Sequence, residues 1–189
     1  YHQSISDYSR FYTAINAAAV FMENAHRTQE TDKAYSEQNM KWDIAQARLL
    51  RAFLYYQMAR IYGNVPLVKY SYDNGSFPTV EESSQSAVLA YVKSELKLAA
   101  QDLPLVFGSK SNQYYYQNPE YWTGILVNKN SAYALLAHLS AMTGNYADCE
   151  TYCQLVIDNQ KTVTNKTSQY IPTANIYSAT GLFSSDAQT

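Results

Sequence analysis

The segment ARLLRAFLYYQMARIYGNVPLV, residues 47–68, constrains the fold of this chain more than any other stretch. Its apolar side chains recur every three or four positions and cover too wide an arc for one neighbouring helix to bury. We therefore predict a central helix over about residues 39–62 that packs between two others. Gly63 suits the left-handed C-terminal position of that helix, and Pro66 prevents an early restart. The predicted apolar stripe comprises Ile44, Leu49, Leu50, Phe53, Leu54, Met58 and Ile61.

Four further segments show the helical period. They lie at about residues 5–27, 80–103 and 131–159, where the last range holds two helices joined at Gly144-Asn145. The sequence therefore predicts an all-α fold of stacked antiparallel helix pairs. We assign residues 1–159 to one helical, repeat-like domain. Residues 160–189, which have few apolar anchors, form an irregular segment that we expect to be cut short.

The start of the third predicted helix carries a capping pattern. Thr79 is followed three residues later by Glu82, which is typical of a capping box. Pro104 ends this helix.

The hairpin at residues 131–159 resembles a tetratricopeptide repeat, because its Gly-Asn-Tyr turn stands where such repeats have Gly-Asp-Tyr. One repeat cannot bury its own faces, so the earlier helices must supply the rest of the stack. Cys149 and Cys153 lie four apart on its second helix, where their Cβ atoms are about 5–6 Å apart, too far for a disulfide. We expect both to be small buried residues.

Composition excludes several classes of function. The net charge of −2 and the pI of about 5.9 do not provide the basic face that nucleic-acid binding requires. No run reaches the roughly 18 apolar residues of a transmembrane helix. The chain does not begin with Met, so we expect it to be part of a longer protein.

The opening segment resembles the signature of SusD/RagB-type proteins, the surface glycan-binding lipoproteins of Bacteroidetes. In that family an A-R-x-L-R-A-x-x-Y helix runs into an aromatic-Gly-Asp/Asn-Val-Pro-Leu exit. The resemblance continues in the same order through VKSELKLAAQDLP, residues 92–104, and NKNSAYALLAHLSAMTGNYADCETYCQLVI, residues 128–157. The residues that match the signature are Ala47, Arg48, Leu50, Arg51, Ala52, Tyr55, Tyr62, Gly63, Asn64, Val65, Pro66 and Leu67.

The resemblance implies a non-enzymatic subunit that binds oligosaccharide or polysaccharide at the cell surface, at the outer membrane. It also implies a SusC-like, TonB-dependent outer-membrane transporter as partner, and membrane attachment through an N-terminal lipidated Cys that this sequence lacks. The alternative is a tetratricopeptide-type scaffold that binds a protein or peptide and has no sugar site.

Enzymatic signatures are missing from the sequence. His2, His26 and His138 do not have the spacing of a metal site, and there is neither a Gly-rich phosphate loop nor a Gly-x-Ser-x-Gly elbow. Glycoside hydrolysis needs two carboxylates across a cleft, but Glu81 and Glu82 fall in a predicted first helical turn, where acids favour the dipole. We expect no catalytic residue, cofactor or metal.

Arg48 and Arg51 lie three residues apart and therefore share one face of the central helix. Their stems can cover apolar surface while the guanidinium groups reach a partner. We expect a structural role, in which one of them holds the Gly-Asn-Val-Pro exit or the end of a neighbouring helix.

Two long connections, residues 66–79 and 104–127, are rich in Tyr, Asn, Gly and Pro. Long loops in a compact domain are often functional. Aromatic rings can stack on the apolar faces of sugars while amides bond their hydroxyls. The alternative is that these rings fasten the loops to the helices. The predicted ligand-binding residues are Tyr114, Tyr115, Tyr116, Tyr121, Trp122, Tyr72 and Asn74.

Overall fold

The structure is a computed structural model that describes residues 7–72, 75, 79–107, 112, 115 and 126–162, with the side chains of the last helix described as far as residue 159. This part of the chain is mostly helical. Its elements, in chain order, are α1 (Ser9–Thr31), α2 (Glu37–Tyr62), β1 (Val65–Pro66), β2 (Glu82–Ser83), α3 (Gln85–Asp102), α4 (Lys129–Met142) and α5 (Tyr146–Thr162).

Each helix packs mainly against the next one along the chain. This nearest-neighbour order is typical of stacked helical repeats. The predicted all-α fold of antiparallel, tetratricopeptide-like helix pairs with two long aromatic-rich loops is therefore confirmed. The aromatic-rich loops are the connections between α2 and α3 and between α3 and α4.

The central helix α2 lies between α1 and α3, as the sequence predicts. Its residues Ala45, Ala52 and Ala59, which are seven positions apart, are fully buried. Small residues at that spacing let neighbouring helices come close. The predicted stripe is wrong in part, because Leu50, Phe53 and Ile61 are 48%, 36% and 60% exposed. The other buried apolar residues of α2 are Leu49, Tyr55, Tyr56 and Met58.

Both ends of α2 are capped. The Ser36 hydroxyl accepts a hydrogen bond from the Asn39 N–H at 3.2 Å. At the other end Gly63 has a φ of +78°, a conformation that costs glycine little, and its N–H donates to the Ala59 carbonyl at 3.2 Å. The helix therefore stops where the sequence changes to Gly-Asn-Val-Pro.

The capping box predicted at Thr79 and Glu82 is wrong. Glu82 instead lies in β2, opposite Pro66 of β1, and α3 begins after Ser84, whose hydroxyl accepts from the Ala87 N–H at 3.3 Å. The reason is tertiary: the chain entering α3 pairs with the chain leaving α2, and strand pairing excludes helix at that residue. Gln85 also connects the two segments: its side-chain amide donates to the Ala59 carbonyl, in the last turn of α2, at 2.8 Å.

The hairpin of α4 and α5 is less buried than the sequence predicts. On α4, Ala132, Leu136 and Leu139 are buried, and the Tyr133 ring stacks on the Tyr152 ring of α5 with centroids 6.1 Å apart. The cysteines do not form a disulfide, but the prediction that they are buried is wrong, since Cys149 is half-buried and Cys153 is exposed.

Candidate functional site

The chain that leaves α2 crosses the α1–α2 pair as an irregular segment, residues 66–72, which we call the strap. Only its first residue belongs to a strand, so its backbone polar groups depend mainly on partners outside the two-residue ladder. Side chains of α1 and α2 provide several of these partners. The first is Tyr12, whose hydroxyl donates to the Pro66 carbonyl at 2.6 Å.

Helix α1 also holds the far end of the strap. The Asn16 side-chain oxygen accepts from the Tyr72 N–H at 2.9 Å. One Glu23 oxygen accepts from the Ser71 N–H at 2.9 Å and the other from the Ser71 hydroxyl. These bonds stabilise the charged carboxylate and lower the pKa of Glu23 below its usual value. Tyr12, Asn16 and Glu23 are spaced by four and seven residues, which places them on one face of α1.

Helix α2 holds the middle of the strap. The Tyr55 hydroxyl donates to the Val68 carbonyl and accepts from the Val68 N–H, both at 2.8 Å. Four residues earlier, Arg51 donates to the Lys69 carbonyl at 2.9 Å. Burial raises the pKa of Tyr55, so its hydroxyl stays protonated and can donate at neutral pH.

Arg51 and Arg48 share a buried carboxylate on α3. Arg51 contacts one oxygen of Glu95 at 2.6 Å, and Arg48 contacts the other at 3.0 Å. Arg51 and Glu95 are only 7% and 6% exposed, so each charge depends on the other for compensation. The guanidinium carbon of Arg51 also lies 5.8 Å from the ring centroid of Tyr91. Burial raises the pKa of Tyr91 to about 12. Arg51 thus makes both an ion pair and a bond to a loop carbonyl.

The outer side of the strap presents one large ring. Tyr70 is 72% exposed, although Lys69 and Ser71 on either side are bonded to the helices. Tyr72, predicted to bind ligand, is half-buried and is tied through its N–H. Asn74, predicted with it, lies outside the described residues.

The second aromatic-rich loop, between α3 and α4, has its two ends fastened together. The Lys129 N–H donates to the Pro104 carbonyl at 2.9 Å. The Asn128 side chain, which caps α4, donates to the Leu105 carbonyl at 3.0 Å. The two ends of this connection are therefore held close together.

Tyr115 of this loop is buried in the core. Tyr115 is 4% exposed, and its ring lies against Phe107 and Trp42, with centroids 5.2 and 5.8 Å away. Its hydroxyl bonds the Asp43 carboxylate of α2. Burial raises the pKa of Asp43, and the hydrogen bonds that it accepts oppose this rise only in part. This placement favours the loop-fastening alternative for Tyr115.

A pair of asparagines supports the same anchor. The Asn112 side-chain amide donates to Asn39 of α2 at 2.9 Å, and its oxygen accepts from the Tyr115 N–H at 2.9 Å. The loop is thus joined to α2 at two of its residues. The other predicted ligand residues of this loop lie outside the described residues: Tyr114, Tyr116, Tyr121 and Trp122.

A separate groove runs between α3 and α4. It has a volume of about 450 Å³ and is lined by residues such as Leu89, Lys93, Leu139 and Met142. Its side chains are aliphatic, polar or basic, and a stacking surface for sugar rings needs aromatic side chains instead. Among the residues that the structure describes, no three His, Cys, Asp or Glu side chains lie close enough to hold a metal ion. The helices in the same part of the chain are each too short or too polar to cross a membrane.

Sequence reasoning missed the α1 anchors of the strap and the burial of Tyr115. The spacing of Tyr12, Asn16 and Glu23 on one helical face was a usable signal. So was the four-residue spacing of Arg51 and Tyr55 on α2. What the spacing does not reveal is which segment these side chains hold.

Solved structures with the same fold include SusD-type proteins. A SusD superfamily protein from Bacteroides thetaiotaomicron is 50% identical, with a TM-score of 0.83 over 95% of this chain and 39% of its own. A laminarin-binding SusD-like protein is 23% identical, with a TM-score of 0.63 over 79% of this chain and 29% of its own. A structure with a xylogluco-oligosaccharide is 21% identical, with a TM-score of 0.61 over 80% and 29%. This chain therefore spans well under half the length of each.

The comparison with curated proteins gives no match. A family model does match: it describes SusD-like proteins as "starch-binding associating with outer membrane" and covers residues 1–140. Because that match spans well over half of the 189 residues, the chain belongs to the SusD-like family.

Proposed function

We propose that this chain is the helical part of a non-enzymatic, cell-surface subunit that binds oligosaccharide for uptake by a SusC-like, TonB-dependent transporter of the outer membrane. The family supports this proposal through its description as starch-binding and associated with the outer membrane. Two structural relatives support it as well, one described as laminarin-binding and one solved with a xylogluco-oligosaccharide.

The observation that carries the proposal is that both aromatic-rich connections are fastened to the same helix. Arg51 and Tyr55 of α2 hold the strap, while Asp43 and Asn39 of α2 hold the second loop. One rigid element therefore supports both tyrosine-rich connections. Binding residues commonly lie on loops that a rigid scaffold holds in position.

The residues proposed to contact the sugar are of the type that carbohydrate recognition requires. A pyranose ring has an apolar C–H face, which a flat aromatic ring can cover, and hydroxyls, which amides can bond. The proposed contacts are Tyr114, Tyr116, Tyr121 and Trp122 in the second loop, together with Tyr72 and Asn74. Tyr115 contributes by holding that loop against Trp42 and Phe107.

Tryptophan fluorescence tests this proposal if the two tryptophans are separated. Trp42 lies beside Tyr115, so it responds to any change at the loop anchor. In a Trp42→Phe variant only Trp122 emits, and titration with laminarin, xylogluco-oligosaccharides or soluble starch should shift its emission saturably. The matched control is Trp122→Phe, which reports the anchor alone. An unchanged Trp122 signal, together with no retention of the protein on any insoluble polysaccharide, would contradict the proposal.

The transporter partner requires a separate test. Affinity-tagged protein should be isolated from detergent-solubilised membranes of its natural host and its companions identified by mass spectrometry. We expect a TonB-dependent outer-membrane protein in near-stoichiometric amount. Recovery of the protein without such a companion, in an extract where outer-membrane proteins are otherwise intact, would refute the transporter role and leave glycan binding to be judged on its own.

A further inference from the structure

Tyr70 has a largely exposed side chain on a stretch of backbone that is hydrogen-bonded on both sides. Its side chain is 72% exposed, which by itself is unremarkable, since Tyr146 at the start of α5 is 73% exposed. The two differ in their surroundings. Tyr146 follows the tight turn between α4 and α5, whereas Tyr70 lies in the middle of the strap.

Hydrogen bonds fix the strap on both sides of Tyr70. On one side, the Lys69 carbonyl accepts from Arg51 at 2.9 Å. On the other side, Ser71 gives both its N–H and its hydroxyl to Glu23. These are strong bonds, because a charged group takes part in each.

The anchors extend one residue further in each direction. Both backbone groups of Val68 are bonded by the Tyr55 hydroxyl, and the Tyr72 N–H is bonded by Asn16. Tyr55 is fully buried, so the anchor at Val68 is part of the core. The backbone that carries Tyr70 is thus ordered before any ligand arrives. A ligand that stacks on this ring therefore has little backbone entropy to overcome.

The chemistry around Tyr70 favours a sugar over a protein surface. A protein contact of this size is normally surrounded by other residues that exclude water. Here the flanking residues are Lys69, an exposed lysine whose ammonium lies 5.6 Å from the ring centroid of Tyr91, and Ser71, a serine bonded to the exposed carboxylate of Glu23. An exposed aromatic ring whose sequence neighbours are a lysine and a serine, and not apolar residues, complements a pyranose, which has one apolar face and a rim of hydroxyls.

We propose that Tyr70 is a carbohydrate-stacking residue, and that the strap and its anchors on α1 and α2 exist in part to present its ring. This inference rests on the proposed glycan-binding function and adds a specific contact to it. The observations behind it come from the strap and its anchors and not from the second aromatic-rich loop.

The test compares three variants with the wild type by isothermal titration against laminarin, xylogluco-oligosaccharides and soluble starch. Tyr70→Ala should weaken the tightest of these interactions about tenfold, the loss expected when one aromatic contact is removed. Tyr70→Phe keeps the ring and should stay within about twofold of the wild type. Tyr146→Ala removes an equally exposed tyrosine and should change nothing. Equal melting temperatures exclude unfolding as the cause.

Each outcome bears on the inference. Unchanged affinity in Tyr70→Ala, with a wild type that binds, overturns the role of Tyr70 and leaves the proposed function standing. An equal loss in Tyr70→Phe and Tyr70→Ala also overturns it, because the ring alone would then be insufficient. If the wild type binds none of the three glycans, the proposed function and this inference fail together.

Discussion

Arg51 illustrates how one buried side chain can connect three parts of this protein. From α2 it reaches Glu95 on α3 and the Lys69 carbonyl in the strap, and it lies over the Tyr91 ring. The sequence indicated a structural role for this arginine from its place on an otherwise apolar helix. It could not reveal Glu95 as the partner, because a contact across 44 positions depends on how α2 and α3 pack.

Replacement of Arg51 by alanine should destabilise the protein strongly. Glu95 would keep only Arg48, and the Lys69 carbonyl would lose its donor. Removing one partner of a buried ion pair costs about 3 kcal/mol or more, which corresponds to a fall in Tm of about 6–12 °C for a chain of this size. Thermal unfolding followed by circular dichroism measures the change.

The control is Arg60→Ala on the same helix. Arg60 is exposed and lies over the Tyr56 ring with its guanidinium carbon 5.3 Å from the centroid. An exposed contact of this kind contributes about 0.5–1 kcal/mol. Equal effects of the two substitutions would show that the buried network has no special importance.

The carboxylate of Asp43 provides a test that depends on pH. Its pKa is raised in the folded chain by burial, so the folded state binds a proton more tightly than the unfolded state. The stabilisation from this group is therefore full below the unfolded value of 3.8 and is lost as the pH rises through the folded pKa. In Asp43→Asn this titration is abolished.

As the pH falls from about 7 to about 4, we expect the free energy of unfolding of the wild type to increase relative to that of Asp43→Asn. Urea unfolding of both proteins across this range measures the difference. A difference that stays constant, or that moves in the opposite direction, contradicts a raised pKa at Asp43.

At the scale of elements, the helices were predictable and the strap was not. The periods and breakers located the helices to within a few residues, since helix formation depends mainly on local sequence. The strap depends instead on side chains far away in sequence, such as Asn16, 56 positions from Tyr72. The predicted start of α3 was wrong for a related reason, because pairing of β2 with β1 overrode the local capping pattern.

Hydrogen exchange should show that the strap is held residue by residue. Glu23→Ala removes the acceptor of the Ser71 N–H, so exchange of that amide should accelerate, by about tenfold or more if a charge-assisted bond is lost. The Val68 amide, bonded by the Tyr55 hydroxyl, should keep its protection and serves as the internal control. Uniform acceleration along the strap would mean that it unfolds as a unit and that the separate anchors do not act independently.

The cap of α3 can be tested with a matched pair of substitutions. Ser84→Ala removes the side chain that accepts from the Ala87 N–H and should cost about 1 kcal/mol. Thr79→Ala, at the position that the sequence favoured, should cost little, because Thr79 lies before β2 and outside the helix. Chemical denaturation ranks the two. A larger loss at Thr79 would support the sequence-based assignment over the structure.

At the scale of the whole molecule, the stack of helices follows from the sequence, while the finer burial does not. The width of the apolar surface on α2 correctly indicated two neighbours. It did not indicate that alanines and tyrosines would form the contacts while Ile61 stays exposed. Residue hydrophobicity is a poor guide here because alanine allows close backbone approach and Tyr55 brings a hydroxyl that the strap requires.

The candidate site shows the same division. The tyrosine-rich connections stood out in the sequence, but their tyrosines have different roles. Tyr115 is buried as an anchor and Tyr70 is exposed on a fixed backbone. Composition cannot separate these roles, since the same side chain suits both, and only the packing around each ring distinguishes them.

We propose that a rigid helical scaffold presents aromatic side chains of its two connections to a sugar. Nuclear magnetic resonance of isotope-labelled protein, titrated with the tightest of the three glycans, tests it most directly. The amides of Tyr70 and Ser71 and those of the second aromatic-rich loop should shift together and saturably, while the amides around Tyr146 stay in place. Shifts confined to the α3–α4 groove or to α5, with none at the strap, would contradict it.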